Sequence, residues 1–407
     1  MAPPKVILQL YPMLPAADED DRKRRRPLGR NRDAYHRALH DWIDIIRAAE
    51  ELGVWGASTI EHHLHSEGYE VGPNPGILNA WWASQFKKIH IGALGYVMAT
   101  QDPIRVAEET AILDHITKGR YFVGFARGYQ SRWTNTLGQF TETRATLSDG
   151  SSDDERNRQI FEERVNMVLQ CWKEDSVRLE GKYYQAPFPQ ETGIVGYPAH
   201  KIARAAGGDG EVDANGVLRR FSVVPAPYQD PHPPIFVAVS RSEPSVRYCA
   251  RNGFRVVHFS KGDGVAKYAH VYQEEAARHG LSFQFGERQN TVRWPHIANS
   301  AEDYDRKLVQ YDLDIYKNFY SPFFPQLPAD IDWVQNMKDS GLFLGGTLEQ
   351  ARAQFHQEFA KCPSEYLTLI WHYAQQPKDE VIWELEQFMR HIWPTLAAVE
   401  PAQARAA

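Results

Sequence analysis

The sequence predicts an α/β fold built as a single (β/α)8 TIM barrel. Short apolar strands and amphipathic helices alternate through most of the 407 residues. Repeated strand–helix units require right-handed crossovers and a parallel sheet, and eight such strands in one chain suggest that the sheet closes. The chain shows no internal repeat and no linker-like composition, so we expect one domain over residues 1–407.

The first half of the chain supplies four of the predicted strands. They lie at residues 5–10, 54–60, 89–98 and 121–126, and helices are expected at residues 35–52, 79–86, 103–116 and 155–172. Trp42, Ile46 and Ala49 recur at helical spacing in the first helix, and Gly53 follows as a stop signal. Pro103 suits the first turn of another helix, where its missing amide hydrogen costs nothing.

The second half resumes the alternation after a long interruption. Strands are predicted at residues 235–240, 254–259, 290–297 and 366–371, and helices at residues 245–251, 265–279, 348–359 and 379–393. The interruption is a predicted insertion at about residues 138–234, between the fourth and fifth strands. It holds a predicted hairpin with arms at residues 177–179 and 182–184, and a patternless stretch at residues 191–216. Long loops in compact domains are commonly functional, so the 190–220 loop is a candidate for the substrate side.

A charged run at residues 18–26 has no apolar period. Such runs are typical of solvated loops, which is the structure we expect here. The alternative is a mobile lid over a site.

Composition excludes several classes of protein. Hydrophobic residues make up 43% and charged residues 24% of the chain, which is ordinary for a globular enzyme. The net charge of −6 gives no reason to expect a nucleic-acid partner. No apolar run approaches the roughly 20 residues that span a bilayer, and the first residues do not resemble a signal peptide. The 3 cysteines are far apart, so we expect no disulfide framework and a cytoplasmic location.

The most informative motif is the polar run Glu61-His62-His63-Leu64-His65, directly after the second predicted strand. Working residues of such barrels lie at the carboxyl ends of strands, where a histidine can act as an acid/base group beside a neighbour that orients it. Two alternatives remain open. The histidines are structural, or His63 and His65 hold a metal ion together with Glu61.

Two further strand ends suggest that an anionic ligand is bound. Arg127 follows the fourth strand, where its guanidinium would suit a phosphate. Ser240, Arg241 and Ser242 follow the fifth strand and precede a helix, whose free amide groups bind phosphate well. The alternatives are a strand-end salt bridge for Arg127 and an ordinary helix cap for Ser242.

Other glycines refine this prediction. Gly95, in the third strand, would let a flat ring approach the backbone, although a packing role is an equal alternative. Gly119, Gly124 and Gly128, around the fourth strand, do not form the G-x-G-x-x-G pattern, so a Rossmann dinucleotide fold is not supported.

Taken as a set, these motifs resemble those of the bacterial luciferase-like, flavin-dependent monooxygenase family. The resemblance is strongest over residues 50–138 and moderate over residues 230–260 and 340–395. The matching segments are residues 58–63, 74–75, 91–95, 102–109, 113–120, 122–128, 231–235 and 346–347.

The resemblance implies a barrel that binds FMN in its reduced form, supplied by a separate NAD(P)H:flavin reductase. O2 would react with the reduced flavin, and the resulting flavin hydroperoxide would oxygenate a small organic substrate. His62 would be the acid/base residue, with Glu61 supporting the site. Leu94 and Gly95, joined by a cis peptide bond in relatives, would lie under the flavin ring. The phosphate ligands would be Arg127, Ser240, Arg241 and Ser242.

The chain also departs from luciferase itself. Ala126 stands where luciferase has a reactive cysteine, and Val239 stands where it has an acidic residue. Light emission from a long-chain aldehyde is therefore not a safe inference, and the substrate stays open. Trp81, Trp82 and His63 are the predicted substrate-side residues, and no resident metal is predicted.

Three rival functions remain. They are a deazaflavin-dependent oxidoreductase on the same barrel, a metal-dependent barrel hydrolase, and a non-catalytic flavin-binding subunit. A homodimer is usual among relatives, and we expect one here.

Overall fold

The computed structural model describes residues 2–145, 148–239, 242–323 and 330–402. The strands are β1 Lys5–Pro12, β2 Gly56–Thr59, β3 His90–Val97, β4 Tyr121–Ala126, β5 Leu179–Glu180, β6 Gln185–Ala186, β7 Ile235–Val239, β8 Arg255–His258, β9 Gln289–Ile297, β10 Phe343–Gly346 and β11 Tyr366–Tyr373. All eight predicted strands are present among them.

Helices lie between most of these strands. They are α1 Glu19–Arg24, α2 Arg32–Glu51, α3 Pro75–Gln85, α4 Pro103–Thr117, α5 Ser131–Leu137, α6 Ser152–Lys173, α7 His200–Ala206, α8 Glu243–Asn252, α9 Gly262–Arg278, α10 Ala301–Lys307, α11 Leu313–Ile315, α12 Trp333–Asp339, α13 Leu348–Lys361 and α14 Lys378–His391. The alternation of strand and helix around a parallel sheet confirms the predicted (β/α)8 barrel class.

The chain divides into two compact units, residues 1–95 with 235–407, and residues 96–234. The strands of the larger unit run in the order β3-β2-β1-β11-β9-β8-β7, and each pair in this order is parallel. β8 pairs with the first part of β9 and β10 with its last part. The carboxyl ends of these strands therefore share one edge. The single-domain organisation and the insertion bounds 138–234 stay predictions.

A large core cluster of the larger unit fills the space between this sheet and its helices. Trp42 and Trp82 meet edge to face there, with ring centroids 6.0 Å apart. α2 presents Trp42, Ile46 and Ala49 to this core, as its helical spacing predicts, and it ends at Leu52 before Gly53 at φ +77°. Burial of such side chains stabilises the fold by about 1.5–3 kcal/mol each.

The charged run at residues 18–26 is not a solvated loop, and that prediction is wrong. It forms α1, with Asp18 as its N-cap. Arg22 is buried because its guanidinium donates to Asp314, 2.6 Å away, and lies over the ring of Tyr69. Periodicity could not reveal this helix, because the run is short and its buried residue is charged.

The smaller unit contains β4 and the irregular stretch. The predicted hairpin exists, but its second arm was placed too early, because β5 pairs with β6 at residues 185–186 and residues 182–184 belong to the turn. Glu163 accepts the three backbone amides of that turn. The patternless stretch contains α7 and an isolated antiparallel bridge from Ile194 to Leu218.

Several elements of the larger unit were not predicted, including α1, α10 and α12. Another is β10. A further one is a helical segment in which two π-helical turns, Leu308–Asp312 and Tyr316–Tyr320, flank α11. α3 also begins four residues before its predicted start, since Asn74 caps it and Pro75 occupies its first turn.

Candidate active site

His62, the predicted acid/base residue, lies just beyond β2 and is held by a carboxylate that the sequence did not single out. Its Nδ1 lies 2.7 Å from Oε2 of Glu70, and the Glu70 side chain is only 1% exposed. Burial favours the neutral form of Glu70, but the attraction of His62 and His65 outweighs it and lowers the pKa of this carboxyl. Glu70 is therefore an ionised carboxylate in close contact with His62.

Glu61, the carboxylate within the motif, faces a different histidine. Its Oε1 lies 3.0 Å from Nε2 of His63, and its side chain is fully buried. The expectation that a motif neighbour orients His62 is therefore corrected, because the orienting group is Glu70, eight residues further along the chain.

Beyond Glu70, the contacts continue into the buried end of β11. The hydroxyl of Tyr320 donates to Oε1 of Glu70 across 2.8 Å and lies 3.1 Å from Nε2 of His372. Nδ1 of His372 lies 2.6 Å from Oδ1 of Asp312. His372 and Asp312 are both excluded from solvent.

Asp312 is shared with a second histidine, His296 near the end of β9. Nε2 of His296 lies 2.7 Å from Asp312, and Nδ1 lies 3.2 Å from Glu384 on α14. Burial disfavours the imidazolium, but the two carboxylates outweigh it and raise the pKa of His296 to about 10. In the same way, burial works against the Asp312 carboxylate, and His296 and His372 nevertheless lower the pKa of Asp312 to about 2. His296 is therefore charged at neutral pH.

The far end of this series is Glu384. Lys307 and the indole nitrogen of Trp371 both donate to it, the latter across 2.8 Å. Burial opposes ionisation, but His296 and Lys307 outweigh it and lower the pKa of Glu384. We call the set His62, Glu70, Tyr320, His372, Asp312, His296, Glu384 and Lys307 the buried polar chain. Each member contacts the next, so a buried group at one end is linked to one at the other.

Two members of the buried polar chain, His62 and Glu70, lie beside His65 in a group that resembles a metal site. Single ligand atoms of His62, His65 and Glu70 lie within 4.8 Å of one another. The alternative metal site considered in the sequence was His63, His65 and Glu61. Glu61 faces His63, and of these three residues only His65 belongs to the group in the structure. The rings of His62 and His65 are nearly parallel, with an interplanar angle of 9° and centroids 5.7 Å apart.

The predicted flavin platform, Leu94 and Gly95, lies within β3. The peptide bond between them is cis, as the family resemblance implied. The carbonyl oxygen of Leu94 accepts a buried hydrogen bond of 2.8 Å from the Gln9 side chain on β1. This contact fixes the orientation of the peptide group.

The predicted phosphate ligand Arg127, in the smaller unit, is held by groups on α6. Its guanidinium donates to Oδ1 of Asp154 at 2.5 Å, to the Asp154 carbonyl at 2.6 Å and to the Asn157 side chain at 3.1 Å. Burial lowers the pKa of Arg127, and Asp154 counteracts that effect. The salt-bridge alternative is thus what the structure contains, and an anion would compete with Asp154 for this guanidinium.

The second predicted phosphate segment is described only at its last residue. Ser242 caps α8, because its side chain accepts from the backbone amide of Ser245, and the Ser245 hydroxyl donates to it across 2.9 Å. Ser242 is therefore an N-cap, the alternative to a phosphate ligand in the sequence analysis. Ser240 and Arg241 lie outside the described residues.

Of the predicted substrate-side residues, two lie on α3. Trp82 is fully buried in the core against Trp42, and Trp81 is partly buried, with its ring edge-on to His40. His63 keeps 21% of its side chain exposed beside Glu61. The packing gives Trp82 a core role, so its assignment to the substrate stays a prediction without structural support.

Sequence reasoning missed most of the buried polar chain. His296 was not singled out, and Glu70, Asp312 and Tyr320 lie in segments without a readable period. A signal was present for His372, since it follows Trp371 near the end of the last predicted strand. His258, also at a strand end, has a different character, because burial lowers its pKa to about 4 and leaves it neutral beside Gln289.

The sequence was compared with those of characterised proteins. It matches the profile of the family described as luciferase-like monooxygenase over residues 25–367. It is 27% identical to 3,6-diketocamphane 1,6-monooxygenase of Pseudomonas putida over 60% of this chain and 60% of that protein. It is 25% identical to the oxygenase component of the flavin-dependent trigonelline monooxygenase of Acinetobacter baylyi, over 70% of this chain and 66% of that protein. The matches thus span slightly less than two thirds of these relatives.

The structure was also compared with solved structures. It resembles the oxygenating constituent of 3,6-diketocamphane monooxygenase from Pseudomonas putida, solved with FMN and described as a type II Baeyer–Villiger monooxygenase. The TM-score is 0.70 at 18% sequence identity, and the match covers 97% of this chain and 98% of that one. At this identity the likeness establishes a common fold. No helix among the described residues is both long and apolar enough to cross a membrane.

Proposed function

Since the chain belongs to the luciferase-like monooxygenase family, we propose that it is the oxygenase component of a two-component system that uses reduced FMN and O2. A separate NAD(P)H:flavin reductase would supply the reduced FMN, and the oxygenated substrate would be a small organic molecule. The relative from Acinetobacter baylyi is named as an oxygenase component, which supports the two-component part. We further propose that the protein is a cytoplasmic homodimer.

The observation that carries this proposal is the His62–Glu70 pair just beyond β2. An acid/base group must be positioned, must exchange a proton, and must keep its reactive nitrogen available. Glu70 lies 2.7 Å from Nδ1 of His62, and we propose that the Nε2 edge of the ring faces substrate or cofactor. The His62 side chain is 12% exposed, so it is shielded from bulk water but open at one side. We propose that His62 moves the proton in oxygenation.

The donor groups fit FMN in kind. The cis Leu94–Gly95 segment offers a peptide face without a side chain at Gly95, where a flat ring system can lie. Arg127 and the Ser240, Arg241 and Ser242 segment would hold the phosphate, provided that Asp154 yields Arg127 to it. When bound, the reduced flavin supplies the electrons for reaction with O2. The protein's own contributions are binding, exclusion of water and the proton at His62.

The reaction type is a finer proposal. The Pseudomonas putida relative is named as a diketocamphane monooxygenase and its structure as a Baeyer–Villiger enzyme, whereas the Acinetobacter baylyi relative is named for trigonelline. These substrates differ in kind, so we propose only a small organic substrate. Trp81, Trp82, His63 and the 190–220 loop remain the proposed substrate-side groups.

The first experiment is an anaerobic titration of the purified protein with reduced FMN, followed by a pulse of O2 and stopped-flow absorbance. We expect tight binding of reduced FMN and reoxidation slower than that of free flavin, with a distinct intermediate phase. If reduced FMN does not bind, or reoxidises as fast as in free solution, the proposal fails. A deazaflavin cofactor would then be tested in the same titration.

The second experiment replaces the proposed acid/base residue. His62→Ala should retain binding of reduced FMN and lose roughly 10²–10⁴-fold in turnover, the usual contribution of an acid/base group. His36→Ala, at an exposed position on α2, is the matched control and should leave both quantities unchanged. Wild-type turnover of His62→Ala with an accepted substrate would contradict the assignment.

A further inference from the structure

A group of exposed cations lies on the segment that runs from α1 to the first residue of α2. Residues 22–32 contain seven arginines and lysines and no carboxylate, in a chain whose net charge is −6. Four of the seven have partners, since Arg22 is buried against Asp314 and three others form ion pairs with carboxylates of α1. The remaining three are Arg26, Arg30 and Arg32, which we call the basic patch.

The side chains of the basic patch are exposed, and none of them forms an ion pair with any residue that the structure describes. Arg32 is the first residue of α2, where a cation opposes the helix dipole and lowers helix stability. Like charges so close in the chain also repel one another. The fold gains nothing from this arrangement, so the partner that it fits is an anion from outside the chain.

The segment that carries the basic patch is anchored to the rest of the larger unit. Leu28, between Arg26 and Arg30, is fully buried in a small apolar cluster with Leu14. The side chain of Asn31 accepts from a backbone amide of α2 and caps that helix. The positive charge is therefore held at a fixed place on the surface.

That place borders the loop that carries His62. The amide of Gly29 donates to the carbonyl oxygen of Ser66 across 2.9 Å, and a Cβ at Gly29 would overlap the carbonyl oxygen of His65. Glycine thus permits a close approach of the two loops. They follow β1 and β2, which pair in parallel, so both lie at the carboxyl edge where working residues of such barrels are found.

We propose that the basic patch attracts reduced FMN through its phosphate and steers it toward the candidate active site. The inference rests on the proposed function, because a cofactor supplied by a separate reductase must associate anew in each turnover. A phosphate monoester carries a charge of about −2 at neutral pH, so the net charge of the chain repels it. A local field of opposite sign raises association rates by roughly 10–10³-fold.

The basic patch acts on the approach of the cofactor and not on the bound cofactor, whose proposed phosphate ligands are Arg127 and residues 240–242. Charges at the rim of a binding site change the association rate and its salt dependence more than the dissociation rate. The expected signature is therefore an association rate constant that falls with salt, while the dissociation rate constant changes little.

The test is anaerobic stopped-flow binding of reduced FMN to the full-length protein at about 10 mM and about 1 M salt. Between these conditions the screening length shortens from about 30 Å to about 3 Å, so wild type should associate more slowly at high salt. Arg30→Glu/Arg32→Glu should associate about tenfold more slowly than wild type at low salt and nearly as fast at high salt. Arg26→Gln should give a smaller loss in the same direction, and it decides the question if the double variant does not fold.

The matched control is Lys87→Glu/Lys88→Glu, which changes the net charge by the same amount. Lys87 and Lys88 are exposed and precede β3, so they lie at the opposite edge of the sheet. This variant should associate at the wild-type rate. Steering by the basic patch is overturned if wild-type association does not depend on salt, if the control is slowed as much as Arg30→Glu/Arg32→Glu, or if only the dissociation rate changes.

The same data separate this inference from the proposed function. If wild type binds no reduced FMN, both fail. If wild type binds it and all the variants associate at the same rate, steering fails alone. If Arg30→Glu/Arg32→Glu binds free reduced FMN at the wild-type rate but loses turnover when the reductase supplies the flavin, the basic patch binds an acidic protein surface, and steering of the cofactor is likewise overturned.

Discussion

His62 and Arg127 each follow a barrel strand directly, and each is met by a carboxylate from elsewhere in the chain. The surroundings of the two pairs differ. Glu70, the partner of His62, continues into buried groups that end at Lys307, whereas the partner of Arg127, Asp154, belongs to a short contact set with Asn157. The first arrangement links several buried titratable groups. The second is a closed ion pair that an incoming anion must open.

The comparison shows that a charged residue at a strand end identifies a site without identifying its state. At His62, the carboxylate lies against Nδ1 of the ring. At Arg127, the partner already occupies the groups that a phosphate would need. A functional assignment therefore depends on the partner, which in both cases comes from a segment that the sequence did not connect to the motif.

The largest loss of stability is expected from a substitution at the centre of the buried polar chain. Asp312→Ala removes the carboxylate shared by His296 and His372 and leaves the buried His296 imidazolium without one of its two carboxylate partners, so we expect a loss of about 3–5 kcal/mol in the free energy of unfolding. Urea denaturation at neutral pH measures it. Asp20→Ala, at an exposed position on α1, is the control and should change stability little. If Asp312→Ala loses no more stability than Asp20→Ala, the contacts of Asp312 in the buried polar chain do not stabilise the fold.

The next prediction concerns pH. The pKa of His296 is raised from 6.5 to about 10, so the stability it contributes is fully present below pH 6.5 and is lost as pH rises through 10. Within this window the free energy of unfolding should fall by up to about 1.4 kcal/mol per pH unit from this group. His296→Gln should flatten the slope measured by denaturation between pH 7 and 9. If the pH dependence of the free energy of unfolding is the same in His296→Gln, the loss of stability at alkaline pH comes from other groups.

The smallest expected effect concerns the affinity for reduced FMN, and it tests whether Asp154 competes with a phosphate for Arg127. Asp154→Asn removes the competing charge, and we expect reduced FMN to bind about tenfold more tightly, equivalent to about 1.4 kcal/mol. Anaerobic fluorescence titration measures this affinity. Asp153→Asn, at the exposed neighbouring position, is the control. Weaker binding in Asp154→Asn would mean that Asp154 positions Arg127 for the phosphate and does not compete with it.

Much of the fold could be predicted because hydrophobic periodicity and helix signals are local. α2, with its Trp42 and Ile46 face, and β4 were predicted nearly to the residue. α1 and β10 were missed because one is a short charged helix and the other a short strand with two glycines. Local pattern gives no information on side chains whose burial comes from distant segments.

The residues of the candidate site were likewise predicted only in part. The motif residue His62 was found because a polar cluster after an apolar strand is conspicuous in sequence. Glu70, Tyr320 and His372 were not connected to it, because their contacts join positions up to 250 residues apart, from residue 70 to residue 320. Distances of this kind are set by the order of strands in the sheet, which no single segment encodes.

The two π-helical turns should limit which changes of sequence this segment tolerates. Asp312 ends the first turn and Tyr320 ends the second, and each such turn contains one residue more than a regular helix needs. Deleting a single residue, such as Val309, would remove the wide turn that presents Asp312 and replace it with regular winding. A substitution at Asp312 would alter its contacts alone, whereas this deletion would change the backbone that positions it. Length in this segment should therefore be constrained more tightly than composition.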